Sequence, residues 1–305
     1  MILCSGESLI DMVPQDGTFR PLAGGAVYNT AIALGRLGVA AGYLWPLSSD
    51  QFGATLRQPL LEAGVATDLC PQSARPTTLA FVTLDRGEAR YSFYDEGSAG
   101  RMFAQSDLPE LPSETRALFI GGISLVPDPC GATVETLVDH ARDRGIPVMI
   151  DPNIRPFFIT EIPRYRARLE RLIAKSALVK LSGDDIAWLW PDADFAEVSR
   201  DLLARGPDAG PSVIFRTLGA DGAEATSARH HITLPAARVA ITDTIGAGDT
   251  FNAGVLAALD RADAFARLDH LERETLEAAL SLGIRAAAVT VSRAGANPPW
   301  RHELA

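Results

Sequence analysis

The sequence predicts an α/β fold: one doubly wound, mostly parallel sheet, with a small β-sheet beside it, in a single domain over residues 1–305. Two features predict this. From about residue 117, short apolar runs alternate with helical segments: ALFIGG (117–122), PVMIDPN (147–153), ALVKLS (177–182) and SVIFRTLG (212–219). Strands that are buried on both faces and separated by helices build parallel sheets. The pair TTLAFVTLD (77–85) and RYSFY (90–94), joined by RGEA, breaks that rhythm and reads as a hairpin with one wet face.

Other elements follow in order. MILCSG is a first strand, and NTAIALGRLG (29–38) has helical periodicity with a glycine stop. GATVETLVDHARDRG (131–145) is the helix between the first two apolar runs. RVAITDT (238–244) reads as strand-like, GAG as a turn and DTFNAGVLAAL (249–259) as a helix. A long helix and the apolar segment AAAVTVSRAGA (286–296) close the chain.

Composition narrows the function. The 305 residues carry a formal net charge of −10, with 47% hydrophobic and 22% charged residues. The sequence has no basic run, so neither a nucleic acid nor an anionic membrane is an expected partner. Cys4, Cys70 and Cys130 form neither a disulfide framework nor a metal motif. The start lacks a basic leader and a membrane-length apolar stretch, so the expected location is cytoplasmic. Only two lysines occur, Lys175 and Lys180.

The stretch DTIGAGDTFNAG (243–254) carries the chemistry. A glycine turn opening a helix offers backbone N–H groups without internal partners, and the helix dipole favours an anion there. Asp249 falls at the helix start. Its carboxylate could take a proton from an attacking hydroxyl while Gly246, Ala247 and Gly248 hold a phosphoryl group. Read alone, the same residues could be a capped helix and a tight turn. The sequence contains no GxxxxGK[ST] loop, no HRD or DFG set and no GxGxxG fingerprint.

The whole string resembles the second signature of the PfkB, or ribokinase-like, carbohydrate kinases. GGAVYNTAIALGRLG (24–38) resembles the first signature. GESLID, LSSDQFG, DPNIR, VKLSGDD, RTLGADG and AVTVSRAGANPPW match the family in order along the chain. The resemblance implies ATP and Mg²⁺ as partners in transfer of the γ-phosphate to a sugar hydroxyl. Asp249 matches the catalytic base, and Gly246, Ala247 and Gly248 match the anion hole. Asp11, Gly25 and Asn29 match sugar-binding positions. Arg90 and Phe93 of the hairpin are placed with the sugar, and Arg155 with the sugar and the transferring phosphate.

On the nucleotide side the resemblance places Lys180, Ser182, Thr217, Gly219 and Gly222. Asp185 stands where the family usually has Glu near Mg²⁺, acting through water. Loops around Asp243, Ile245 and residues 292–295 resemble those whose carbonyls hold a monovalent cation, which implies K⁺. A lid of about residues 11–22 and 77–104 would close over the sugar and exclude water. Its apolar face would pair with a second copy.

The segments GESLIDM, TTLAFVTLD and RYSFY most resemble the fructokinase branch, implying D-fructose converted to fructose 6-phosphate. The competing branch takes 2-keto-3-deoxygluconate and typically carries an Arg after the lid aromatics. Asp95 stands there instead, and a carboxylate would repel an acid sugar. A kinase for another neutral sugar is a further alternative. A non-catalytic sugar sensor would be expected to have lost the base or the glycine turn, and both are intact.

Overall fold

A computed structural model describes residues 1–85 and 88–304, with the side chains of 84–90 outside the description. The first strand, β1 (Ile2–Ser5), is wholly buried. Strands β2 (Leu9–Gln15) and β3 (Thr18–Gly24) form a hairpin, followed by helix α1 (Ala26–Arg36). Then come β4 (Ala41–Tyr43), β5 (Leu47–Ser48), α2 (Gln51–Glu62) and β6 (Gln72–Ser73). A second hairpin is built from β7 (Leu79–Asp85) and β8 (Glu88–Tyr94).

The remainder supplies β9 (Ala117–Gly121), α3 (Cys130–Asp143), β10 (Val148–Asp151), α4 (Ile162–Lys175) and β11 (Leu178–Ser182). Next are α5 (Gly183–Leu189), α6 (Phe195–Leu203), β12 (Val213–Thr217), β13 (Ala223–Ser227) and β14 (His231–Leu234). Helices α7 (Ala247–Arg261) and α8 (Arg273–Val291) close the fold. Among the described residues, no helix is long and apolar enough to cross a membrane.

The main sheet runs β14-β13-β12-β11-β10-β9-β1-β4. Six strands, β4 through β12, are parallel, and the β13–β14 hairpin adds an antiparallel edge. The chain leaves β1 outward to β4 and later returns to β9 on the other side. Ligands of such sheets bind at the carboxyl ends of the strands, at this reversal of order. Glu7 follows β1, Asp151 ends β10, Ser182 ends β11 and Thr217 ends β12.

The small sheet has the order β3-β2-β7-β8 and grows out of β1 through β2. Asp50 ties its second hairpin to the body. That carboxylate caps α2 by accepting from Gly53 N at 2.8 Å, and also accepts from Thr77 N at 2.9 Å and Thr77 Oγ1 at 2.8 Å.

Several elements differ from the sequence reading. Helix α1 begins three residues early because Glu7 Oε1 accepts the Ala26 N–H at 3.0 Å, capping the helix from a distant segment. RVAITDT forms no strand; it is exposed, and its main chain is held to the end of α8 by bonds from Thr242 N (2.8 Å) and Asp243 N (3.2 Å) to Val291 O. Its apolar residues line a cleft instead of a sheet. Ala286–Val291 are the last turns of α8, so AAAVTVSRAGA is no separate element. The small sheet ends at Tyr94, and residues 95–104 turn back into the body, where Phe103 packs edge-on against Trp45.

Candidate active site

Helices α1 and α7 start in the same crevice. Asn29, in the first turn of α1, donates Nδ2–H to Asp249 Oδ2 at 2.9 Å, and Thr30 Oγ1 donates to the Asp249 carbonyl at 3.2 Å. Gly246 caps α7 with φ +77°, and a Cβ there would press on Ala296 at 2.8 Å. Glycine is therefore required both by the left-handed turn and by the close approach. The N–H groups of Gly246 and Gly248 have no acceptor among the described residues, while Ala247 N donates to Thr244 O at a long 3.3 Å.

Asp249 is buried, at 8% exposure. Burial pushes its carboxyl up to about 7; the Asn29 bond pulls it back, and the charge of Asp151 adds to the rise. A buried carboxyl that titrates near neutrality has the pKa that a general base needs.

Lys180 reaches the turn from below. Its Nζ lies 3.3 Å from where a Cβ on Gly248 would stand, and bonds Asp151 Oδ2 at 3.1 Å. Asn252 Nδ2 donates to the same oxygen at 2.7 Å. Burial pushes Lys180 down, but Asp151 and then Asp185 more than offset that, so its ammonium stays charged. The sequence reading assigned no role to Asp151, Asn252, Glu7 or Thr30. Asp151 and Glu7 did carry a signal, as single acids directly after apolar strands.

Asp185 and Ser182 form a capping box. Asp185 Oδ2 accepts from Ser182 N and Ser182 Oγ at 2.8 and 2.6 Å, and Oδ1 accepts from Ile154 N at 2.8 Å. Both carboxylate oxygens thus serve the fold, joining the start of α5 to the loop after β10. Among the described residues, no group of three or more His, Cys, Asp or Glu is placed to hold a metal.

Thr217, Gly219 and Gly222 line a cleft of about 500 Å³ that reaches Ala247 and Gly248. Val239, Ile241 and Ala288 add apolar walls. A groove of about 620 Å³ between α6 and the β13–β14 hairpin contains none of the candidate residues. It lies behind the sheet, where Arg216 pairs with Glu224 at 2.7 Å.

On β2, Asp11 has no hydrogen-bond partner among the described residues, and burial pushes its carboxyl up to about 6. Gly25 has φ +120°, and a Cβ would overlap the Glu7 carbonyl. Burial raises the Tyr91 hydroxyl; Asp11 and Asp243 raise it further and Arg155 opposes them, so all three charges lie around this ring. Among the described residues, Arg155 bonds only carbonyls of its own loop, Ile154 O at 3.1 Å and Asn153 O at 3.4 Å.

Phe93 packs edge-on against Phe158 at 4.9 Å. Asp95 pairs with Arg101 at 2.9 Å. The side chain of Arg90 lies outside the described residues. Asp243 accepts from Ile245 N at 3.0 Å and Gly295 N at 2.8 Å, joining the two loops around 243–245 and 292–295.

Residues 1–303 match the description "pfkB family carbohydrate kinase". The chain belongs to the pfkB family of carbohydrate kinases. It is 44% identical over 264 residues to a fructokinase of Rhizobium leguminosarum bv. trifolii, covering 85% of this chain and 79% of that protein. A fructokinase of Klebsiella pneumoniae is 29% identical over 302 residues, covering 98% of this chain and 96% of that one. Among solved structures, a fructokinase from Xylella fastidiosa with bound ATP superposes with a TM-score of 0.90 at 30% identity, over 99% of this chain and 97% of that one. This pfkB chain is a sugar kinase, a phosphotransferase with an alcohol group as acceptor.

Proposed function

We propose that this sugar kinase converts D-fructose and ATP to fructose 6-phosphate and ADP, with Asp249 as the base. The observation that carries the reading is the 2.9 Å bond from Asn29 to Asp249, which joins the proposed sugar-side helix to the anion turn. The sugar hydroxyl gives its proton to Asp249 as its oxygen attacks the γ-phosphorus and the bond to ADP breaks. The Gly246 and Gly248 amides, with Lys180, meet the negative charge of the transferring group. Asp11 accepts hydrogen bonds from sugar hydroxyls, and the nucleotide fills the Thr217–Gly222 cleft.

Mg²⁺ fits as a phosphate-borne ion, because the nearby carboxylates are already engaged and Mg²⁺ keeps waters and substrate phosphates as ligands. Bound there, it would offset phosphate charge. The loops that Asp243 joins carry carbonyls suited to K⁺. The small sheet serves as a lid. Its outer face exposes Phe19 and Tyr94, each edge-on to Phe81 at 4.9 and 5.4 Å, and we place a second copy against it.

The Asp95–Arg101 pair supports a neutral sugar, since neither charge is left over for a substrate carboxylate. Arg155, with no acidic partner among the described residues, favours the acid sugar as a second reading. The test is ADP release from MgATP with fructose, 2-keto-3-deoxygluconate, ribose, tagatose or adenosine, each with and without K⁺. Selective turnover of fructose is expected. Preference for the keto acid would transfer the substrate contact to Arg155, and silence on every sugar would overturn the reading.

A further inference from the structure

Strand β8 is one edge of the small sheet, opposite β3, and its chain runs back into the body after Tyr94. What meets that edge is a short turn, Pro156–Phe158, directly after Arg155. The Phe157 ring lies nearly parallel to Tyr91, at 5.8 Å and 7°, and to Phe93, at 6.1 Å and 20°. Phe158 meets Phe93 edge-on at 4.9 Å. Phe157 is 59% exposed, so packing in the core does not explain its place; its ring neighbours are on β8. The same loop begins at Asp151, which grips Lys180 beside the anion turn.

We propose that Phe157 and Phe158 are a latch, holding the small sheet closed through Tyr91 and Phe93 and so positioning the sugar while excluding water. This rests on the sugar-kinase and lid reading above. Aromatic pairs at these distances contribute modestly each, enough to bias an open–closed balance without being needed for folding. When the latch opens, water replaces the sugar hydroxyl. Its oxygen bonds the γ-phosphorus, the bond to ADP breaks, a water proton passes to Asp249, and inorganic phosphate is released.

The test uses the full chain with Phe157→Ala, Phe157→Trp and, as an exposed control on α2, Leu61→Ala. Sugar KM in Phe157→Ala should rise roughly two- to tenfold. Inorganic phosphate released per sugar phosphate should rise by a similar factor, with ATP KM and melting temperature unchanged. Phe157→Trp should restore both readouts, and Leu61→Ala should alter neither. Wild-type values of sugar KM and phosphate release in Phe157→Ala would overturn the latch. So would a joint rise of both KM values with a fallen melting temperature, which marks a merely structural role. Failure of the sugar-kinase reading would show separately, as no sugar-dependent ADP release by the wild type.

Discussion

The pH dependence of the proposed base, Asp249, gives the sharpest prediction. Asp249 is pushed up to about 7 by burial, so at pH 6 only about a tenth of it is ionised. With MgATP saturating, kcat/KM for the sugar should fall about tenfold from its plateau above pH 8 to pH 6, with a slope near one. The perturbation is Asn29→Ala, which removes the 2.9 Å donor to Asp249 Oδ2. That bond favours the charged form, so its loss must raise the midpoint. A hydrogen bond to a charged group contributes about 1.5–3 kcal/mol, or roughly one to two pH units.

Asp249→Asn should abolish the limb and lower turnover roughly 10²–10⁴-fold. Stability carries the opposite sign. A carboxyl raised in the folded state contributes stability that is present below the unfolded value near 3.8 and lost as pH rises through about 7. Asp249→Asn should therefore melt no lower than wild type at pH 8. A flat profile between pH 5.5 and 8.5, or a midpoint that stays or falls in Asn29→Ala, would refute the assignment of the base.

Two further predictions concern the support of the site. Lys180→Met leaves Asp151 buried without its cation, which should cost about 3–5 kcal/mol in urea unfolding and most of the turnover. Adding Asp151→Asn should recover much of the stability but not the turnover; if activity returned with stability, Lys180 would have no role at the phosphoryl group. Gly25→Ala forces a side chain into the Glu7 carbonyl at φ +120°, and should destabilise by about 1–3 kcal/mol while raising sugar KM. An unchanged urea midpoint would show that α1 can shift its start without loss.

The parallel sheet, the hairpin and the glycine turn are legible in the chain, because each is written in local periodicity and turn chemistry. The Gly-Ala-Gly-Asp string places orphan N–H groups beside an acid whatever surrounds it. It also misled where one pattern serves two ends. RVAITDT is apolar because Val239 and Ile241 wall a cleft, and alternation alone cannot tell that from a strand face. Ser182 and Asp185, placed near phosphate and Mg²⁺ by the family resemblance, also form the cap of α5.

The partnerships between side chains come from the fold and not from any local pattern. Asn29 meets Asp249 across 220 residues, and Asp151 meets Asn252 across 101. Such contacts leave no period in the chain, since they arise where parallel strands end together and helix starts converge. Burial in that crevice, and not the aspartate itself, is what moves Asp249 to about 7.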